Sequence, residues 1–225
     1  MDNIAILIPC YNEVLTIGKV IEDFGKYVPY ATMYVYDNNS TDGTYAKAKS
    51  YESTHKVVVR KFPKQGKGAV VKQMFQDIDA DIYVMIDGDA TYPVKDATAL
   101  IKGIQNGCDM MLGDRLSSNY FTENSRKFHG FGNKLVRYLV NTLYHGCITD
   151  VMTGFRAFSK KFVKSIEIVS DGFELETEFC IFALKNHYKI GSIPIHYENR
   201  PDGSISKLNT FSDGIKVIET IVKLK

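Results

Sequence analysis

The chain has 225 residues, 44% of them hydrophobic and 24% charged, with a formal charge of +2. That is enough apolar material for one substantial core without staples, and the charge is too small to mark a nucleic-acid binder. Internal repeats and low-complexity tracts are absent. The four cysteines Cys10, Cys108, Cys147 and Cys180 form no C-x-x-C pair and read as reduced thiols of a cytoplasmic protein, and neither a signal peptide nor a membrane-spanning run is expected.

Residues 4–8 are a continuous apolar run, which predicts a strand. The loop Pro9-Cys10-Tyr11-Asn12-Glu13 follows, then a helix with Ile17, Val20, Ile21, Phe24 and Val28 on one face. Residues 33–36 predict a second strand, 37–43 a polar loop, and Thr44 the start of a helix capped by its Ser/Thr/Asp neighbours. Residues 56–60, the loop 64–68 and a helix carrying Val70, Val71, Met74 and Phe75 make a third such unit. Three successive strand–loop–helix units predict an α/β fold: a mostly parallel sheet with helices on both faces and ligand sites at the carboxyl ends of its strands.

The run 81–89 then delivers a buried strand to two carboxylates, Asp87 and Asp89, with Gly88 between them permitting the turn that lets them converge. Two carboxylates plus diphosphate oxygens suit Mg²⁺ or Mn²⁺, hard cations that take oxygen ligands; an ordinary solvated turn is the bland alternative. Asp37, Asp87 and Asp89 all fall on the predicted rim. Gly66-Lys67-Gly68 is no P-loop, because the upstream glycine is missing and Ala69 stands where Ser or Thr would hold magnesium. Residues 109–113 predict a fourth strand that brings Arg115 to the rim, and the small polar stretch 117–126 reads as a loop over the site. In 173–178 three acids crowd the start of an amphipathic helix carrying Phe179, Phe182, Ala183 and Leu184, where the helix dipole alone would favour them. The C-terminal stretch 210–225 puts Phe211, Ile215, Ile218 and Val222 at helical spacing, either a core-packing face or one that touches a membrane. The five histidines show no ligand spacing.

Taken in order, Ile8-Pro9-Cys10-Tyr11-Asn12-Glu13, the run from Asp37 to Thr44, Asp87-Gly88-Asp89, the run from Leu112 to Arg115, the run from Asp150 to Arg156 and the run from Arg200 to Lys207 resemble family 2 glycosyltransferases of the GT-A fold. Within that family the likeness is to polyprenyl-phosphate sugar synthases, the dolichyl-phosphate mannose synthase-like group. It covers nearly the whole chain and implies one GT-A domain over 1–225. In it, about 1–113 would be the nucleotide-sugar and metal half, about 114–209 the acceptor and phosphate half, and 210–225 a terminal helix at which many relatives lead into membrane spans.

The resemblance implies that Pro9, Tyr11 and Glu13 line a nucleoside pocket, with Asp37 on the base or ribose and the loop of Gly66 and Lys67 approaching the base. Asp87 and Asp89 would hold Mg²⁺ or Mn²⁺, and Thr91 falls where some relatives place a further ligand. Arg115, Arg126, Arg200 and Lys207 would grip the donor diphosphate and an acceptor phosphate, since guanidinium forks suit phosphate oxygens. Asp150 occupies the place of an acceptor-activating acid and would act as a base, or orient the sugar or Arg156; Glu174 or Glu176 would contact the sugar. The implied reaction is inverting transfer of a hexose from a UDP- or GDP-sugar to a polyprenyl phosphate at the inner face of the membrane, with no nucleic-acid partner. A family 2 transfer to a saccharide hydroxyl is the alternative, and it would need a real base.

Overall fold

The computed structural model describes residues 2–117, 129–207 and 210–225, so Arg126 and the expected loop residues Asn119, Tyr120, Thr122, Asn124 and Ser125 lie outside the described residues. Strands β1 (Ile4–Cys10), β2 (Thr32–Asp37), β3 (Val57–Lys61), β4 (Ile82–Met85), β5 (Met110–Asp114), β6 (Arg156–Ser159) and β7 (Ile190–Pro194) form one sheet in the order β3-β2-β1-β4-β6-β5-β7. Every pairing is parallel except those of β6, which runs antiparallel between β4 and β5. The expected mostly parallel sheet is therefore present, with β6 as the exception.

The helices are α1 (Ile17–Tyr27), α2 (Thr44–Lys49), α3 (Lys67–Asp77), α4 (Ala97–Gln105), α5 (His129–Leu143), α6 (Lys160–Ser165), α7 (Leu175–Lys185) and α8 (Thr210–Lys223). Because side chains alternate across a strand, β1 feeds two cores. Ile4, Ile6 and Ile8 pack with Ile17 and Phe24 of α1 and Leu100 of α4. Ala5 and Leu7 face the other side, with Val70 and Met74 of α3, Val140 of α5, Phe179 of α7 and Val217 of α8. An aromatic group of Phe75, Phe158, Phe162 and Phe179 fills that second core with ring centroids 5.0–6.2 Å apart, the tilted and offset spacing such rings favour.

Four expectations need correction. β4 ends at Met85, so Asp87 and Asp89 sit in the turn beyond the strand and not at its tip. The left-handed residue of that turn is Ala90, φ +59°; Gly88 is needed for space, since a Cβ there would lie 2.7 Å from Cys10 Sγ. Helix α7 is not amphipathic: Leu175, Glu176, Thr177, Glu178, Phe179, Cys180, Ile181 and Ala183 are all buried, wedged between the sheet and α8. In α8 the buried stripe is Val217 and Ile221, while Ile215 and Val222 are 62% and 66% exposed. Hydrogen bonds tie down α8 and the residue after it, from Tyr144 OH to Ile221 O at 2.6 Å and from Lys185 Nζ to Leu224 O at 2.7 Å.

The N-terminus of α3 abuts the segment before α7, and a Cβ on Gly68 would collide with the backbone of Ser170 and Asp171. Gly214 in α8 has nothing within 4 Å of a Cβ position. Gly68→Ala is expected to lower stability by about 1–3 kcal/mol through overpacking, and Gly214→Ala to raise it by about 0.5–1 kcal/mol through helix propensity. Urea unfolding of each variant checks both signs.

Candidate active site

Strands β2, β1 and β4 are parallel neighbours, so their carboxyl ends open on one rim. The buried thiol of Cys10, last residue of β1, records what gathers there. Burial and then the charges of Glu13, Asp37, Asp87 and Asp89 push it well above the ordinary thiol range. Four carboxylates separated by up to 76 positions in the chain thus surround one strand end. Buried like charges are tolerated only when paired, and here each is held by its own partners.

Asp87 accepts from Lys67 Nζ at 2.5 Å, and the same ammonium lies 2.6 Å from Glu176 Oε1. Burial alone would lower the Lys67 pKa, but Asp87 and Glu176 outweigh it and hold the ammonium charged. Lys67 therefore bridges Asp87 and Glu176. Its flanking backbone is what meets the β2 loop, with Gly66 N donating to Asn38 Oδ1 at 2.8 Å. Asp89 is buried and ion-paired to Arg200 Nη2. Burial and neighbouring Asp87 raise the Asp89 pKa, opposed by Arg200 and Thr91. Thr91, expected as a metal ligand, gives its hydroxyl proton to Asp89 Oδ1 at 2.6 Å and so orients that carboxylate. Glu13 receives Lys207 Nζ at 3.0 Å.

At the other end of the rim the β1 and β2 loops are tied together. Asn12, Glu13 and Val14 are laced to the β2 loop by Asn12 N to Ser40 Oγ, Glu13 N to Thr44 Oγ1 and Val14 N to Asp42 Oδ2, at 2.9, 2.7 and 3.1 Å. Asp37 Oδ2 accepts from Ser40 N at 3.2 Å, whereas its Oδ1 is buried with no partner among the described residues. Tyr11, two residues beyond Pro9, is 36% exposed. Asn38, whose place in a polar loop gives no sequence signal of its own, braces the 62–66 segment through bonds to Phe62 O and Lys64 O at 3.3 and 2.6 Å.

Arg115 and Asp150 meet in a buried two-point pair, Nε to Oδ2 at 2.8 Å and Nη2 to Oδ1 at 2.9 Å. Asp150 also accepts from the backbone of Arg115 and Met152, each at 3.2 Å. Both its oxygens are therefore engaged, and the pair fixes the position of the Arg115 guanidinium. Arg156 is not its partner, being satisfied by the carbonyls of Thr153 and Val151 at 2.9 and 2.6 Å. Glu174 accepts from Gly172 N at 3.0 Å, and Glu178 ties Val169 N and Ser170 N at 2.8 and 2.9 Å, a structural part. Tyr197, which carried no motif signal, lies under Arg115 with its ring centroid 5.4 Å from the guanidinium carbon.

The donor set fits a hard divalent cation. Among the described residues no three His, Cys, Asp or Glu side chains cluster as a self-sufficient metal cage, and Asp87 and Asp89 offer oxygen only. That suits an ion whose remaining ligands are waters and diphosphate oxygens. A protein-family model described as glycosyl transferase family 2 matches residues 5–166. The chain belongs to that family. Glycosyltransferase AglJ from Haloferax volcanii is 34% identical over 214 residues, 95% of this chain and 69% of that protein. A dolichyl-phosphate hexose transferase of the same organism is 27% identical over 223 residues, 99% of this chain and 94% of that protein. Among solved structures, glucosyl-3-phosphoglycerate synthase from Mycobacterium tuberculosis superposes with a TM-score of 0.77 at 20% identity, covering 99% of this chain and 78% of that one. The fold is thus the GT-A type.

In this family 2 glycosyltransferase one acid titrates near neutrality. Burial, only partly offset by Lys207, pushes the Glu13 carboxyl up to about 7. An unfolded Glu ionises near ~4.3, so between the two values the folded chain binds the extra proton, and stability from this group falls as pH rises through that window. Glu13→Gln removes the titration. The melting temperature of the variant relative to the parent is expected to climb from pH 4 to pH 8; a pH-independent difference would show that Lys207 compensates the charge fully.

Proposed function

We propose that the enzyme transfers a hexose, with inversion, from a UDP- or GDP-sugar to a polyprenyl phosphate. The observation that carries this reading is the two-point Arg115–Asp150 pair. The two acids best placed to activate an acceptor are both committed, Asp150 to Arg115 and Glu176 to Lys67. A saccharide hydroxyl needs a base to take its proton, whereas a phosphate monoester, with a second pKa near ~6, arrives largely dianionic at neutral pH. An acceptor that needs an anion grip and no base matches a guanidinium held rigidly at the rim. The names of the relatives that act on dolichyl phosphate support the same class.

In this reading Tyr11 and Pro9 receive the base, and the unpartnered Asp37 Oδ1 accepts a hydroxyl or N–H proton of the nucleoside. Asp87 and Asp89 hold the cation; a bound Mg²⁺ or Mn²⁺ supplies charge neutralisation for the departing diphosphate. Structural neighbours crystallised with Mn²⁺ and UDP support that cofactor class. Lys207 and Arg200 reach the diphosphate from the loop above, and Arg115, with Arg126, grips the acceptor phosphate. Lys67 and Glu176 border the sugar. Catalysis then rests on orientation and electrostatic stabilisation, and the enzyme works at the cytoplasmic face of a membrane that holds its acceptor. Among the described residues no helix is long and apolar enough to cross a membrane.

Incubation with a short-chain polyprenyl phosphate, Mn²⁺ and radiolabelled UDP- and GDP-sugars is expected to move label into organic solvent, and Asp89→Ala to abolish it. Metal-dependent nucleotide release without lipid label would move the assignment to a saccharide acceptor. Asp150→Asn is expected to raise the KM for the lipid phosphate about tenfold or more, as a disordered charged contact would, with the pH profile of kcat unmoved. Loss of the alkaline plateau of that profile would instead restore Asp150 as a base.

A further inference from the structure

The segment 198–207 crosses the mouth of the site, and both of its basic side chains sit on acids. Glu198 N donates to Thr91 O at 2.8 Å and anchors it beside the Asp89 turn. Ser204 N closes a turn on Pro201 O at 3.1 Å with Gly203 at φ +85°, and a Cβ on Gly203 would be 3.3 Å from Leu15. Beyond the turn, Lys207 Nζ donates to Asn12 O at 2.7 Å and to Glu13 at 3.0 Å. Arg200 ion-pairs with Asp89 Oδ2 through Nη2; its Nη1, and the Ser204 hydroxyl, are buried with no partner among the described residues.

We propose that Arg200 is an internal competitor for the divalent cation, which releases Asp89 only when a donor diphosphate offers its guanidinium another anion. The inference rests on reading Asp89 as a cation ligand. A guanidinium and a dication cannot both contact one carboxylate oxygen without strong repulsion between them. The two basic groups on the paired acids differ in freedom. Lys67 is enclosed, 10% exposed, and shared between Asp87 and Glu176, so it stays. Arg200 is 26% exposed, on a segment that turns at Gly203, and holds one acid. A diphosphate beside Asp89 gives its planar fork a two-point acceptor and gives the orphaned Nη1 a partner. Cation and donor therefore bind together, each weakening the hold of Arg200 on Asp89, and the coupling is reciprocal.

The test is Mn²⁺ binding to the intact chain, read from the electron paramagnetic resonance signal of free Mn²⁺, alone and with UDP or GDP. For the parent chain, nucleoside diphosphate is expected to tighten Mn²⁺ by about tenfold or more. Arg200→Gln is expected to bind Mn²⁺ alone about tenfold tighter than the parent and to lose most of the nucleotide enhancement, while Arg200→Lys, which keeps the charge but not the planar fork, is expected to bind Mn²⁺ alone as weakly as the parent and to keep only part of the enhancement. An Arg200→Gln affinity for Mn²⁺ alone equal to or weaker than that of the parent overturns the competition and leaves the cation site standing. A parent chain that binds Mn²⁺ equally with and without either nucleotide overturns it as well. If no form binds Mn²⁺ even with nucleotide, the reading of Asp89 as a cation ligand fails, and this inference with it.

Discussion

Everything in this molecule that concerns chemistry depends on holding carboxylates together where they repel. Glu13, Asp37, Asp87 and Asp89 crowd the end of β1 closely enough for their charges to act on the thiol of Cys10. Left unpaired in a partly buried setting, such a group would ionise reluctantly or pull the loops apart. The fold answers with Lys67 from the start of α3, Arg200 and Lys207 from the crossing segment, and backbone N–H donors from the β2 loop and the turn after β4. The acids on this rim still outnumber those bases, which is why the site suits a cation that arrives with its own anion.

The sheet order explains how the charges come to be there. Parallel strands point their carboxyl ends the same way, and the inner run β2-β1-β4 places three loops side by side. The antiparallel β6 changes the arrangement at one position only. By running back between β4 and β5, it carries Gly154 to the side of Asp87, where a Cβ would press on that carboxylate, and leaves the run from Asp150 to Thr153 beneath Arg115. Asp150 is thereby brought onto the guanidinium of Arg115. The packing of α3 against the segment before α7 has a similar effect, since it brings Lys67 and Glu176 to one point from sequence positions more than a hundred apart.

Much of this was legible from residue pattern. The apolar runs of β1, β2 and β3 and the helices after them obey periods of 2 and 3.6, and Asp37, Asp87 and Asp89 end or follow strands in the same register of strand, loop and helix. Other features were not legible for definite reasons. β6 is four residues long and carries the buried Arg156, so it offers too little alternation to read. In α8 both 215/218/222 and 217/221 satisfy helical spacing, and only docking on α5 and α7 selects the second. Glycine at 88 suits a turn by type, yet its value is the missing Cβ beside Cys10, a contact across 78 positions. Thr91 and Asp150 keep the positions that motif order assigns, but their roles follow from partners that only packing supplies.

The sequence by itself determined the class of fold, the family, and the side chains that carry charge on the rim. These follow from local periodicity and from residue type, which a linear chain displays. Tertiary structure alone decided which cation serves which acid: Lys67 on Asp87 and Glu176, Arg200 on Asp89, Lys207 on Glu13, Arg115 on Asp150. Ion pairing falls off within a few ångströms and ignores separation along the chain, so no spacing rule contains it.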